Sequence, residues 1–274
     1  MEPGGLGIKL PQLIPILTTL TARVAGQEMA QLLQSPTALA RALADTQKVF
    51  GHDGVLCLFD PLLLSSACTG KRGEMNPSAG SQGMDLTTPD DVLRAAPVAS
   101  LLEAIQPLRH HLPDRAMIFA TFAGPGLLYS QLQSTFESCG MTGGADSDYV
   151  LDVIRNVVRS SFELKADGIA LIEQTAPGTP AELQRCHKTV RKLAEFYDAA
   201  FLAFRWPGSQ DREPDIAAHC VFDLATPDDS IGLLRGRPGP SAVSSTPPVT
   251  TTGDVPENMP IERLKALLQE RPAV

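Results

Sequence analysis

The stretch GHDGVLCLFDPLLLSSACTG, residues 51–70, sets Val55, Leu56, Leu58 and Phe59 in one apolar run and ends that run on Asp60, before a proline and three leucines. A short apolar run bounded by glycine reads as a buried strand. An acid at the point where such a strand hands over to a loop occupies the position at which α/β barrels carry their chemistry. The same pattern recurs along the chain. LIPILTTL (13–20) reads as a strand, and PTALARALADTQKVFG (36–51) as a helix with Ser35 as N-cap, proline in its first turn and a closing glycine. GVLCLFD (54–60) is the next strand. Residues 69–90, TGKRGEMNPSAGSQGMDLTTPD, lack an apolar period and read as a long mobile insert, with a lid and plain disorder as open alternatives.

Residues 91–111 place Val92, Leu93, Ala96, Val98, Leu101, Leu102, Ile105 and Leu108 at helical spacing. RAMIFATF (115–122) is a third strand, GPGLLYSQL opens a helix, and residues 148–168 form another. GIALIEQT, AAFLAFRW and DIAAHCVFDL, from Gly168, Ala199 and Asp215, read as strands four to six; SAVSST and PVTTTGDV are weaker candidates for the last two. PIERLKALLQE (260–270) closes with a helix. Strand and helix alternating in this way imply parallel pairing with right-handed crossovers. The chain has 274 residues, 43% of them hydrophobic, and a barrel typically needs about 250. The expectation is a single α/β domain, a (β/α)8 TIM barrel, shortened or irregular in its last third. There TPDDSIGLLRGRPGPSAVSSTPPV (226–249) is too short for the usual crossovers. A homodimer covering the trimmed side is the expected assembly.

The net charge of −8 and the absence of a basic run argue against nucleic acid as a partner. No stretch approaches the roughly 18 apolar residues of a membrane span, and the N-terminus lacks a signal peptide's pattern, so a cytoplasmic protein without membrane contact is expected. The five cysteines are odd in number and scattered, as reduced thiols packed among hydrophobes would be. Candidate functional residues are those at strand ends: Asp60, Thr121, Phe122, Glu173, Trp206, Asp223 and Asp254. Glu173 either binds substrate or orients Lys165 or Arg205. His219 is a candidate general acid or base, with a core histidine as the alternative. His52, His110, His111 and His187 sit on or beside helices, where solvated or dipole-stabilising roles are commoner.

GHDGVLCLFDPLLLSSACTG, IFATFAGPGLLYSQL and LKADGIALIEQTAPG, in that order and spacing, resemble the second to fourth strands of the uroporphyrinogen decarboxylase superfamily. TTTGDVPENMPIERLKALLQ is similar to the end of its corrinoid methyltransferase branch. The resemblance implies a barrel of that type and a small-molecule substrate at its mouth. It puts Asp60 where the decarboxylase holds the pyrrole nitrogens of a tetrapyrrole and stabilises the cation formed on protonation. The alternative is that Asp60 binds the next backbone N–H. Tyr129 lies one turn before the family's tyrosine position, which Leu132 fills here. With Glu173, Phe122, Trp206 and Asp254 it completes the substrate-binding candidates, beside Asp60 and His219 as catalytic ones.

Two departures follow. The family's Arg-rich N-terminal segment, which grips substrate carboxylates, is absent; Arg23 is the only arginine among the first forty residues. The zinc that the methyltransferase branch binds through His-x-Cys and a distant Cys has no such ligands, since His219 and Cys220 are adjacent and Asp254 stands in place of the distant cysteine. Neither metal nor cofactor is expected. The functional expectation is a metal-independent decarboxylase or related lyase on a carboxylated small molecule or tetrapyrrole. The alternatives are a methyltransferase acting on a thiol or corrinoid, and a non-catalytic barrel that binds a partner. Asp60, Glu173 and His219 are expected to face one common mouth.

Overall fold

The computed structural model describes residues 10–70, 86–140, 146–174, 179–205, 218–224, 233–238, 248–251, 254–256 and 259–269. Helices α1 (Thr18–Ala25), α2 (Met29–Leu32) and α3 (Pro36–Phe50) precede β1 (Gly54–Leu56). After α4 (Leu63–Thr69), α5 (Pro89–Arg94) and α6 (Ala96–His111) comes β2 (Met117–Ala123); α7 (Pro125–Ser138) and α8 (Ser147–Glu163) lead to β3 (Gly168–Glu173), and α9 (Ala181–Phe196) to β4 (Ala200–Arg205). The rest comprises β5 (Cys220–Asp223), β6 (Leu233–Arg235), β7 (Arg237–Pro238), β8 (Val249–Thr251) and α10 (Ile261–Gln269).

Local chemistry sets the helix ends. Ser35 Oγ accepts the Ala38 N–H at 3.3 Å, Pro36 opens α3, and Gly51 ends it at φ +68°. The single helix expected over residues 91–111 is two helices, α5 and α6, because Ala95 is extended (ψ 129°). Pro97 has no N–H to give and its ring would strike the carbonyl four residues back, so α6 has to start afresh just before it. The first strand is also shorter than expected. Leu13 makes one parallel bridge to Val249, and the chain is already helical from Thr18.

Strands β1 to β5 form a parallel, curled half-barrel in the order β1-β2-β3-β4-β5, with β7 antiparallel on the far side of β5. β6 and β8 pair antiparallel, Ile14 N–H reaches Val249 O at 2.8 Å, and Gly54 N–H reaches Leu13 O at 3.0 Å. The expected run of eight parallel strands is therefore corrected in its last third. The link after β5 is too short for a crossover helix, so β7 turns back on β5. Of the sequence segments expected there, residues 215–217 and 241–246 lie outside the described residues, as do residues 71–85 of the insert; its flanks are α4 and α5.

Alternation along the strands separates two faces. Phe204 and its register partner Phe222 stack at 4.9 Å, and Phe59, beyond β1, meets Phe204 edge-on at 5.5 Å. β1 lies three places from β4 in the sheet, so this contact crosses the concave side. Phe201, an odd number of residues from Phe204, stacks instead on His187 of α9. The odd-numbered residues of β3 and β4 therefore face the helices. Gly236, between β6 and β7, is pressed against the concave side: a Cβ there would land on Cys220 Sγ and 2.9 Å from the Phe222 ring. A smaller apolar cluster of Leu13, Leu17, Leu20, Val255, Met259, Leu264 and Leu268 joins α1 to α10. Among the described residues no helix is long and apolar enough to cross a membrane.

Candidate functional site

The carboxyl ends of β1 and β8 meet the start of α1. Phe59 donates its N–H to Thr18 Oγ1 at 2.8 Å, and Thr251 Oγ1 accepts the Ile16 N–H at 2.9 Å. Asp60 follows Phe59 directly. Its Oδ1 accepts the Leu62 N–H at 2.8 Å, a turn-forming bond typical of aspartate, and Gln131 of α7 holds the next carbonyl, that of Pro61, at 3.1 Å. Asp254 Oδ2 accepts both the N–H and the hydroxyl of Thr19, at 3.1 and 2.6 Å. Asp254 thereby caps α1 from the other end of the chain, where Leu17 offers no side-chain cap of its own. Asp254 thus lies against the α1 start, and Asp60 follows Phe59, whose N–H is bonded to Thr18 and whose ring meets the Phe204–Phe222 stack.

Asp254 Oδ1 is buried and has no hydrogen-bond partner. Burial pushes this carboxyl above the usual aspartate range, against the bonds from Thr19. The native state accordingly binds the proton more tightly than the unfolded chain does. The protein gains stability as pH falls through the folded pKa toward the ordinary value near 3.8. Asp254→Asn keeps an acceptor for Thr19 and removes the buried charge, so it is expected to melt at or above wild type at pH 7. Asp254→Ala loses the cap and about 1 kcal/mol. Thermal melts of both variants check this, and an Asn variant that melts as low as the Ala variant would overturn it.

Glu173 ends β3, yet it faces the helices rather than the concave side. Its Oε1 lies 2.6 Å from His187 Nε2 on α9, and both residues are almost fully buried. The expectation that Glu173 lines the mouth is corrected: its strand-end position is legible in the sequence, but the side chain's face follows the period of two, which turns Glu173 outward with Phe201 and Arg205. Phe122 is the register partner of Leu171, two residues before Glu173, and is fully buried on the same helix side. Arg205 is joined to Asp223 at 3.0 Å, and Arg237 to the same carboxylate at 2.9 Å.

His219 departs further. It precedes β5, pairs with Phe201 at the start of β4, and so lies at the amino ends of the strands, opposite Asp60 and Asp254. Its Nδ1 accepts the Phe201 N–H at 2.8 Å, which leaves the ring's proton on Nε2, and burial lowers its pKa to about 4. The common mouth for Asp60, Glu173 and His219 is not formed. Tyr129 is half-buried on α7, and Trp206 lies outside the described residues. The zinc donors that the resemblance implies do not fit. His219 lies at the amino ends of the strands with Nδ1 bonded to the Phe201 N–H, while the Cys220 thiol packs against Gly236 on the concave side. Among the described residues no three His, Cys, Asp or Glu side chains converge.

Sequence reasoning passes over Thr18, Thr19 and Thr251, and its expectation of a solvated or dipole-stabilising His187 is corrected, since that ring is buried against Glu173. His187 stands in the apolar period of α9 with Leu183, Val190 and Ala194, all buried. A histidine in a core slot of a helical period is the available signal for it. A hollow of about 420 Å³ bordered by Asp114, Lys165 and Tyr197 lies at the amino ends of the strands, the end at which barrels carry stability rather than chemistry.

No family model matches this chain, and no curated protein is significantly similar to it in sequence. A solved structure, a methyltransferase from Methanosarcina mazei, is similar in fold, with a TM-score of 0.52 at 15% identity over 71% of this chain. The chain spans 64% of that protein's length. At this identity the likeness establishes a shared α/β arrangement, in which the curled parallel sheet of β1 to β5 is that of a partial TIM-barrel-like fold.

Proposed function

We propose that the chain is an enzyme of the uroporphyrinogen decarboxylase-like barrel superfamily, and that it transfers a methyl group to a small thiol at the carboxyl ends of the strands. The fold likeness to a methyltransferase supports the superfamily and the reaction class. The links from β5 through β7, β6 and β8 to Leu13 support a barrel completed by short, irregular strands.

The observation that carries methyl transfer over porphyrinogen decarboxylation is charge. Among the described residues the functional groups placed at and beside the α1 start are Asp254, threonine hydroxyls and, in the turn after Phe59, Asp60, whereas Arg205 and Arg237 are both joined to Asp223. A polycarboxylate needs cations at the mouth, preferably paired guanidiniums; acidic groups near a phenyl cluster suit a neutral or cationic ligand. In this reading the phenyl cluster excludes water from the acceptor. The thiol's sulfur–carbon bond forms as the methyl leaves its donor, and Asp60 receives the thiol's proton.

Incubation with methylcobalamin and a panel of small thiols tests the proposal. The expected result is thiol-dependent loss of the methylcobalamin absorbance together with an S-methyl product found by mass spectrometry. Release of carbon dioxide from a porphyrinogen or another carboxylic acid, with no methylated thiol, would replace this reading with the lyase one.

A further inference from the structure

We propose that His187 is an imidazolium latch holding α9 to the sheet, and that loss of its proton on the alkaline side frees the first half of α9 and the turn at Gly124. The bonding geometry carries this. His187 Nδ1 lies 3.1 Å from the Gln184 carbonyl, which can only accept, so Nδ1 bears a proton. Nε2 lies 2.6 Å from Glu173 Oε1. A bare nitrogen lone pair facing a carboxylate oxygen at that distance would be repelled, so a second proton sits between them, and imidazole, the more basic of the two groups, carries it. The side chains are only 5% and 3% exposed, so the charge pair is shielded from water.

The surroundings couple this pair to two elements. The ring stacks on Phe201 of β4, with centroids 6.3 Å apart. The carboxylate packs on the Gly124-Pro125-Gly126 turn: a Cβ on Gly124 would lie 2.9 Å from Oε2, and one on Gly126 would lie 3.3 Å from it. Charged and titratable groups act on the pair from three elements. Arg205 of β4 opposes the imidazolium; Cys186 of α9 is held as a thiol by burial and by Glu173, with a pKa of about 12; and Arg155 of α8 acts on Cys186. The α7 start contributes backbone only.

Burial by itself disfavours the imidazolium, but the Glu173 charge, its hydrogen bond and the Gln184 carbonyl outweigh it, and the His187 pKa is raised above 6.5. The sign follows from linkage. Stability from this pair is complete below 6.5 and is lost as pH rises through the folded pKa. Above it, Glu173 becomes a buried carboxylate without its counter-charge, the costly half of a broken ion pair.

Nitrogen-15 NMR of the imidazole rings, with hydrogen exchange of residues 183–190 across the same pH range, tests the latch on the intact chain. The expected result is that both His187 nitrogens carry protons at pH 6.5, where an unperturbed ring is half deprotonated. The ring should titrate above 6.5, and α9 exchange should quicken about tenfold beyond its intrinsic pH dependence for each pKa unit of coupling lost. Glu173→Gln should drop the titration below 6.5 and abolish the extra quickening. Should that variant not fold, the wild-type titration decides alone. A His187 ring titrating at or below 6.5, or α9 exchange indifferent to its titration, would overturn the proposal.

Discussion

Gly124→Ala is expected to lower the stability of the protein by about 4 kcal/mol and its melting midpoint by about 10 °C. The backbone is no obstacle to alanine, since Gly124 sits at φ −78° and ψ 172°. The obstacle is the Glu173 carboxylate. An added Cβ would land on its Oε1 and Cδ and lie 2.9 Å from Oε2. Glu173 cannot recoil freely, because Oε1 is bonded to His187 and the Gln174 carbonyl already crowds Gly126 at 2.9 Å from its Cβ position. Overpacking alone costs about 1–3 kcal/mol. Forcing the carboxylate from its partner contributes more, since breaking a buried pair costs about 3–5 kcal/mol. A double-mutant cycle with Glu173→Ala checks the mechanism: if Gly124 acts through that carboxylate, the second substitution should cost far less in the Gly124→Ala background than in wild type. A Gly124→Ala protein melting within about 2 °C of wild type would sink the argument, because that is the shift expected for less than 1 kcal/mol in a chain of this size.

The same residues show what was legible in the sequence. Ser35, Pro36 and Gly51 specify both ends of α3 by themselves, because capping bonds and φ preferences are local. The starts of β3 at Gly168 and of β4 beside Ala199 are equally plain, each a run of buried residues entered from a helix end. Glu173 is legible as a strand end but not as a residue of the helix side. Its partner is fixed by which face β3 turns to α9, and that depends on register across strands rather than on any local pattern. His219 shows the same failure in the other dimension. DIAAHCVFDL is apolar almost throughout, and the strand begins only at Cys220, so the histidine falls at its entry instead of its exit. Asp254 capping α1 across 235 positions joins two chain ends whose sequences carry no sign of each other.

Asp60→Asn is expected to leave the melting midpoint nearly unchanged while reducing methyl transfer by about 100-fold, the scale of a lost general base. In the proposed reaction Asp60 would do two separable things. Its Oδ1 forms the turn by accepting the Leu62 N–H at 2.8 Å, and an asparagine amide oxygen can accept the same bond. The neighbouring carbonyl of Pro61 stays on Gln131 in either case, so the β1–α4 turn keeps its shape. The negative charge beside Phe59 is what asparagine cannot supply, and in the proposed reaction that charge receives the thiol's proton. Asp60→Ala removes both functions and should lose about 1 kcal/mol in addition to the activity. The pair of variants therefore separates turn-forming from chemistry. If Asp60 is only a turn former, Asn will match wild type in both melting and turnover and Ala alone will fall. Equal rates of S-methyl product from wild type and Asp60→Asn would remove Asp60 from the reaction and leave Asp254 as the carboxylate to test next.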